Sequence, residues 1–328
     1  MDTFESSRRR WLNGAGALAA ATMAGRLPEA SAQSLPDIVR IIMPLAAGSS
    51  LDARARVIAE AMGRRLNQRV IVENRPGAGQ TLGALFVAKA KPDGGTLLFN
   101  NNGHIISPHI YRELQYDVLK DLAPVTQVYE TGMVLVAHPG LKATTIKELV
   151  AAARASSLTY ASSGTGGLPH LCMELFTRTA GITMGHVPYK GDSQAMLDVL
   201  GGQVPMMISG YPAAIPHIKA GKLRALGVTG SKRAAIFPDV PTIAESGYPG
   251  YAVNVWAGIF APARTPAAII DKLNRDIAAA MAMPTVTEHL TVTGAQALVN
   301  SPRDFATFVA KESERYGKLV RELGLKPE

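Results

Sequence analysis

The sequence predicts an α/β protein of two lobes, each a mainly parallel sheet flanked by helices. Apolar strands alternate with helices along most of the chain, which is typical of parallel sheets. Two long extended segments, over 123–139 and 251–263, flank one complete set of these units. A chain in this order passes from a first lobe into a second and back. We therefore expect a two-strand hinge with a ligand cleft between the lobes.

Polar turns follow the strands of the first lobe. A strand over 39–43 leads through a Gly/Ser turn into a helix whose predicted N-cap is Ser50. A strand over 70–73 is followed by a Gly-rich turn, and a third strand ends at Asn100, where a polar run begins with Asn101. Because the carboxyl ends of parallel strands share one edge of a sheet, these turns are expected to face the cleft.

The stretch LTYASSGTGGLPHLCMELF, at 158–176, places serine, threonine and glycine between a short strand and a helix. Free N–H groups and the positive end of the helix dipole meet at such a helix start, which favours an anion. A plain capped turn explains the same residues. A serine hydrolase using Ser162 or Ser163 with His170 nearby is a third interpretation, although the GxSxG elbow and the GxxxxGK[ST] loop are absent here.

Composition narrows the function classes. The chain has 328 residues, 47% of them hydrophobic, which suits two domains. One cysteine excludes an intramolecular disulfide and a multi-cysteine metal site, and HExxH, CxxC and GxGxxG patterns are absent, so we expect no metal and no cofactor. The net charge of +8 comes from scattered Lys and Arg with only 6% aromatic residues, which predicts a basic solvated surface and no nucleic-acid partner.

Residues 1–32 have the form of an export signal. SRRRWLN is followed by an apolar stretch rich in glycine and alanine and then by EASAQ, in which Ala30, Ser31 and Ala32 match a small-x-small cleavage site. Arg8 and Arg9 resemble the twin-arginine type of signal. An uncleaved anchor is the alternative, but the apolar stretch is short and rich in small residues. We expect cleavage before residue 33 and a periplasmic protein.

Five stretches, in this order and spacing, resemble one known family. They are GSSLDARAR (48–56), VENRPGAG (72–79), YASSGTGG (160–167), HVPYKG (186–191) and DVPTIAESGYPGY (239–251). On these the mature chain resembles, nearly end to end, the Bug (TctC-like) extracytoplasmic solute-binding proteins of tripartite tricarboxylate transporters. The resemblance implies a type II-like periplasmic binding protein fold. It places the first lobe at 33–131, the second at 132–250 and the completion of the first, with the C-terminal helices, at 251–328.

The resemblance also implies a function and a site. It implies capture of a small carboxylate, delivery to a membrane permease and no catalysis, while some relatives report ligand to a sensor kinase. In the family, backbone N–H groups and ordered waters at turns facing the cleft hold the carboxylate. The implied ligand-binding residues are Gly48, Ser49, Ser50, Gly77, Ala78, Gly79, Gln80, Thr81, Asn101, Ser162, Ser163, Gly164, Thr165, Gly166 and Ser209.

Some polar residues have two interpretations. The helix dipole is a better explanation of Asp52 than ligand contact, and His186 is expected to fix its own loop. The resemblance implies that many members of the family have an acid at the position of Ser209. A neutral residue there predicts a ligand without an ammonium group, such as a C4 to C6 di- or tricarboxylate or an aromatic carboxylate. Alternatively, Ser209 caps the helix that begins near Pro212.

Overall fold

The computed structural model describes residues 35–325, and the predicted export signal lies outside them. The strands within this range are β1 (Ile38–Met43), β2 (Arg69–Asn74), β3 (Thr96–Asn101), β4 (Leu122–Thr131), β5 (Met133–Ala137), β6 (Thr159–Ser162), β7 (Gly185–Pro188), β8 (Met206–Gly210), β9 (Arg224–Val228), β10 (Val255–Pro262) and β11 (Ala295–Ala297). The helices are α1 (Ser50–Leu66), α2 (Thr81–Ala88), α3 (Gly103–Ile110), α4 (Ile146–Ala155), α5 (Leu168–Ala180), α6 (Asp192–Leu200), α7 (Tyr211–Lys219), α8 (Ala267–Met281), α9 (Pro284–Val292) and α10 (Pro302–Glu322).

The strands form two mixed sheets. The first has the order β11-β4-β10-β3-β1-β2, and the second has the order β7-β6-β8-β5-β9. The strands β2, β1 and β3 are parallel to one another, as are β7, β6 and β8. Strand β10 is antiparallel to β3 and β4, and β5 is antiparallel to β8 and β9. The α/β class and the two sheets confirm the predicted fold class, with more antiparallel pairing than strand–helix alternation implies.

The antiparallel strands β5 and β10 arise where the chain changes sheet, whereas the short edge strand β11 pairs antiparallel with β4 within the first lobe. Strand β4 ends at Thr131, and β5 begins at Met133 after the single residue Gly132. Because no crossover helix intervenes, β5 enters the second sheet from the side at which the parallel strands end, and it runs opposite to them. Strand β10 enters the first sheet in the same way when the chain returns to it. The two long extended segments predicted from the sequence therefore provide the antiparallel strands β5 and β10.

Hydrogen bonds join the two crossings side by side. The N–H of Val253 donates to the carbonyl of Thr229 at 2.8 Å, and the Thr229 hydroxyl donates to the carbonyl of Val253 at 2.8 Å. The N–H of Met133 donates to the same hydroxyl at 2.9 Å. The Asn254 amide donates to the Glu130 carboxylate at 3.2 Å. This is the predicted two-strand hinge, and its two strands are tied to each other.

Apolar clusters cover both faces of each sheet, and one cluster also joins the lobes. Leu171 of α5 follows a strand of the second sheet, yet it is fully buried in a cluster with Ile106 of α3 and with Tyr316 and Leu319 of α10. Leu168 and Leu175 of α5 pack against the same cluster. The face of α5 that carries these leucines therefore attaches the second sheet's helix to the first lobe.

Two local expectations are wrong. The N-cap of α1 is Ser49 rather than Ser50, because the Ser49 hydroxyl accepts the N–H of Asp52 at 3.2 Å. The N-cap of α7 is Gly210, so Ser209 does not cap that helix. Within residues 35–325, the helices are all too short or too polar to cross a membrane.

Candidate functional site

A cavity of about 520 Å³ lies where turns of the two lobes face each other. The first lobe lines it with Pro44, Leu45, Pro76, Gly77, Ala78, Gly79, Gln80, Asn101, Asn102, Gly103, Ile106, Ser107, Ile110 and Tyr111. The second lobe lines it with Ser163, Gly164, Thr165, Gly166, Gly167, Leu168, Pro169 and Asp192. The walls follow β1, β2, β3, β6 and β7, so the cavity is at the carboxyl ends of parallel strands, where ligands bind in α/β sheets.

The turn 77–80 is an unusual piece of backbone. Four successive residues have positive φ: Gly77 (135°), Ala78 (42°), Gly79 (58°) and Gln80 (79°). Positive φ is uncommon in residues other than glycine and clusters at ligand sites. The hydroxyl of Thr81 donates to the carbonyl of Ala78 at 2.7 Å. The N–H groups of Ala78 and Gly79 precede the first hydrogen bond of this turn, so they remain available to an anion.

Side chains of α3 and its start pack on this turn. The Ser107 hydroxyl lies 3.0 Å from the carbonyl of Gly79 and donates to it or to Gly103. A Cβ at Gly79 would collide with the phenol of Tyr111. The Asn101 side-chain oxygen accepts the N–H of Gly103 at 2.9 Å. Asn101 therefore lines the cavity while it also fixes the start of α3.

The turn 163–167 forms the opposite wall. Gly164 and Gly166 have φ of 133° and 74°. No hydrogen bond from the N–H groups of Ser163 and Thr165 is formed within residues 35–325. These N–H groups lie just before α5, whose N-cap Gly167 provides no side-chain cap. The wall therefore combines free backbone donors, two hydroxyls and the positive end of a helix dipole, which is the chemistry of an anion site.

Two stacked histidines support this second turn from beneath. The Nδ1 atom of His170 accepts the N–H of Gly166 at 3.0 Å, and Nε2 of His186 lies 2.6 Å from the Ser162 hydroxyl. The two imidazole rings are stacked with centroids 4.0 Å apart. Burial lowers the pKa of each ring to about 4, so both are neutral at pH 7. An accepting Nδ1 places the His170 proton on Nε2.

Asp192 is the acidic side chain that lines the cavity. It is the first residue of α6, and the Ser163 side chain lies near its carboxylate. Desolvation by the surrounding protein raises its pKa, and the interaction with Ser163 offsets part of that rise. No Lys, Arg, His or Glu side chain joins it in the lining, as far as the described residues extend.

The structure divides the predicted site residues into two groups. Those that line the cavity are Gly77, Ala78, Gly79, Gln80, Asn101, Ser163, Gly164, Thr165 and Gly166. Those outside the lining are Gly48, Ser49, Ser50, Thr81, Ser162 and Ser209.

The residues outside the lining have partners within the protein. Asp52 accepts the N–H of Gly48 at 3.0 Å, and Pro44 and Leu45, just before that turn, reach the cavity instead. Ser162 is fully buried, and its hydroxyl accepts the N–H of Gly164 at 3.2 Å. Ser209 is buried within β8.

Sequence reasoning missed α3 and Asp192. The side chains of Ile106, Ser107 and Ile110 lie one or two turns into α3, where no glycine or turn pattern marks them. Asp192 has the appearance of an ordinary acid in the first turn of a helix. One sequence signal did indicate that Asp192 is a site residue. It follows β7, among the turns that are expected to face the cleft.

Most of the chain matches a known family model. Residues 54–325 match the model described as "Tripartite tricarboxylate transporter family receptor". Protein BugT of Bordetella pertussis (strain Tohama I) is 37% identical over 292 residues, covering 88% of this chain and 90% of that protein. A UPF0065 protein from the tcbD-tcbE intergenic region of Pseudomonas sp. (strain P51) is 37% identical over 327 residues, covering 99% and 97%.

Solved structures share the fold. The periplasmic binding protein BugD is 33% identical with a TM-score of 0.77, covering 89% of this chain and 99% of that chain. R. palustris Rpa4515, solved with adipate, is 32% identical with a TM-score of 0.79, covering 89% and 99%. MatC (Rpa3494) from Rhodopseudomonas palustris, solved with bound malate, is 32% identical with a TM-score of 0.75, covering 86% and 98%.

Proposed function

The chain belongs to the tripartite tricarboxylate transporter family of receptors, and we propose that it captures a small carboxylate in the periplasm and delivers it to the membrane permease of such a transporter. In fold and family it is a solute-binding protein. One observation carries the choice of a carboxylate. The cavity offers unbonded backbone donors from turns of both lobes, at Ala78 and Gly79 on one side and at Ser163 and Thr165 on the other.

The proposed recognition uses the backbone. A carboxylate has enough lone pairs to accept several N–H and O–H donors at once, and such charge-assisted bonds are strong. Donors of this kind require the anion but leave the rest of the ligand free to vary. The solved relatives that hold adipate and malate support this ligand class.

The proposed contacts are the nine predicted residues that line the cavity. Thr81 and Ser162 do not line the cavity. Their hydroxyls form hydrogen bonds with the two turns and stabilise them. The turn 48–50 and Ser209 are outside this set. The lobe boundaries stay as proposed at 131/132 and 250/251, because strands of the second sheet come only from 133–228 in the described part of the chain.

We propose binding without catalysis. The Ser162 hydroxyl does lie 2.6 Å from a histidine nitrogen, which is the contact a serine hydrolase needs. However, Ser162 is fully buried, so a substrate cannot reach it. Ser163 reaches the cavity, but its side chain lies near the Asp192 carboxylate, and the histidine contact belongs to Ser162.

The proposed location follows from the family and from residues 1–32. A cleaved export signal, of the Sec or the twin-arginine type, would carry the chain to the periplasm, where a permease receives ligand from its receptor. Mass spectrometry of the protein from the periplasmic fraction is expected to find residue 33 at the N-terminus. The proposal includes no sensor kinase.

A thermal-shift screen tests the binding function. The panel is succinate, malate, adipate, citrate, benzoate and aspartate, and succinamide serves as a size-matched control without a carboxylate. At 100 times Kd a ligand stabilises the folded state by about 2.7 kcal/mol, which corresponds to a rise in Tm of roughly 5 °C for a chain of this size. At least one acid is expected to give such a rise. A flat response to every acid, or ester cleavage that is lost in Ser162→Ala, would contradict the proposal.

A further inference from the structure

Asp192 places a carboxylate in a cavity that we propose binds the carboxylate of a ligand. The lining contains no cationic side chain within the described residues, and the nearby Ser163 side chain is the group in it that favours the charged form of this carboxylate. The helix dipole of α6 accounts for an acid in its first turn. It does not account for the place of this exposed acid in the lining of the cavity.

A bound dianion would place like charges close together beside Ser163. The same turn supplies the free N–H groups of Ser163 and Thr165 and accepts the proposed ligand carboxylate. A ligand that expels water from this cavity also leaves Asp192 desolvated, and a desolvated charge without a partner is costly. The arrangement is favourable only when the ligand itself brings a donor to Asp192.

We propose that Asp192 makes the cavity selective for carboxylates that also carry an ammonium group, with the ammonium paired to the Asp192 carboxylate. The inference rests on the carboxylate-binding function proposed above and narrows its ligand class to amino acids. It replaces the expectation drawn from Ser209, because Ser209 is buried in β8 and does not line the cavity. The neutral side chain at that position therefore gives no information about the ligand.

Calorimetry with matched ligand pairs tests the selectivity. The pairs are aspartate and succinate, glutamate and glutarate, and 4-aminobutyrate and butyrate, which differ within each pair by one amino group. At pH 7.5 the aminated member of at least one pair is expected to bind at least tenfold more tightly. In Asp192→Asn this preference is expected to disappear, because the aminated member loses at least tenfold in affinity while its partner binds equally well or better.

A charge-matched variant controls for remote effects. Asp271 lies exposed on α8 and outside the cavity lining, so Asp271→Asn changes the net charge equally and is expected to leave every affinity unchanged. If the acids bind but amination makes no difference, or if Asp192→Asn leaves the preference intact, the selectivity is overturned while carboxylate binding stands. If no member of any pair binds, this inference fails, and carboxylate binding fails with it only if the acids of the thermal-shift panel also give no response.

Discussion

At the scale of single residues, the glycines of the two cavity turns are conformational requirements. Gly79 has a φ of 58° and lies under Tyr111, whereas Gly164 has a φ of 133° with only the carbonyl of Tyr189 near its missing Cβ, at 3.6 Å. A β-branched side chain is poorly tolerated at positive φ. At Gly79 it would also displace the phenol that covers the turn.

We expect Gly79→Val and Gly164→Val each to weaken ligand binding by at least a hundredfold in calorimetry, because the altered turns no longer present their N–H groups. Gly181→Val is the control. Gly181 has the same kind of backbone, with a φ of 60°, but its missing Cβ has open space around it at the end of α5. That variant should lose about 1 kcal/mol of stability yet bind normally. Parental affinity in both turn variants would remove these turns from the site.

Three buried histidines, two of them beneath the second turn and one in α3, make stability depend on pH. Burial lowers the pKa of His104, His170 and His186 to about 4 from the ordinary value of 6.5. Between these values the unfolded chain holds more protons than the folded one, so the free energy of unfolding falls as pH falls from 6.5 towards 4. One such histidine contributes a slope of about 1.4 kcal/mol per pH unit.

Urea unfolding at pH 7, 6 and 5 measures this slope. His170→Asn is the informative variant, because an amide oxygen takes the place of Nδ1 and still accepts the N–H of Gly166. The slope of His170→Asn is expected to be shallower than that of the parent. An identical slope in the two proteins would mean that His170 is not a buried neutral base.

At the scale of helices and strands, the hydrophobic period predicted the alternation of strands and helices, including the strand and the helix within 158–176. The hydrophobic period could not predict the direction of β5 and β10. An extended segment has the same pattern whether it runs parallel or antiparallel to its neighbours in a sheet. The period also could not decide between Ser162 and Ser163. Strand alternation buries the first, and the positive φ at Gly164 turns the chain so that the second reaches the cavity.

Helix α5 follows a strand of the second lobe, but its leucines pack against the first lobe. Leu171 is fully buried against α3 and α10, so its truncation leaves a cavity at the contact between lobes. Leu171→Ala is expected to cost about 3 kcal/mol of unfolding free energy in urea titration. Leu197→Ala, on the exposed face of α6 with 67% of that residue accessible, should change it by less than about 0.5 kcal/mol. Equal effects would place Leu171 outside the core.

At the scale of the whole molecule, the lobes are connected in two different ways. The hinge at Gly132 and Thr229 to Asn254 joins them through hydrogen-bonded backbone, which permits rotation. The leucine face of α5 joins them through apolar packing, and Gly166 lies so close to Ile110 that a Cβ there would overlap it. Rotation about the hinge must therefore slide or part this apolar contact, which limits how far the cavity can open.

Ligand should nevertheless shift the molecule towards a more closed state. The closed form gains contacts to the ligand from the turns 77–80 and 163–167 together, whereas an open form keeps those of one lobe. This difference in affinity is what a population shift requires. In small-angle scattering, the radius of gyration, about 19 Å for a compact chain of this length, is expected to fall when the tightest-binding acid of the calorimetry panel saturates the protein. Gly79→Val, which is expected not to bind, should show no compaction at the same concentration. If the parent is equally compact with and without ligand, the cavity is rigid and the α5 contact holds the lobes closed throughout.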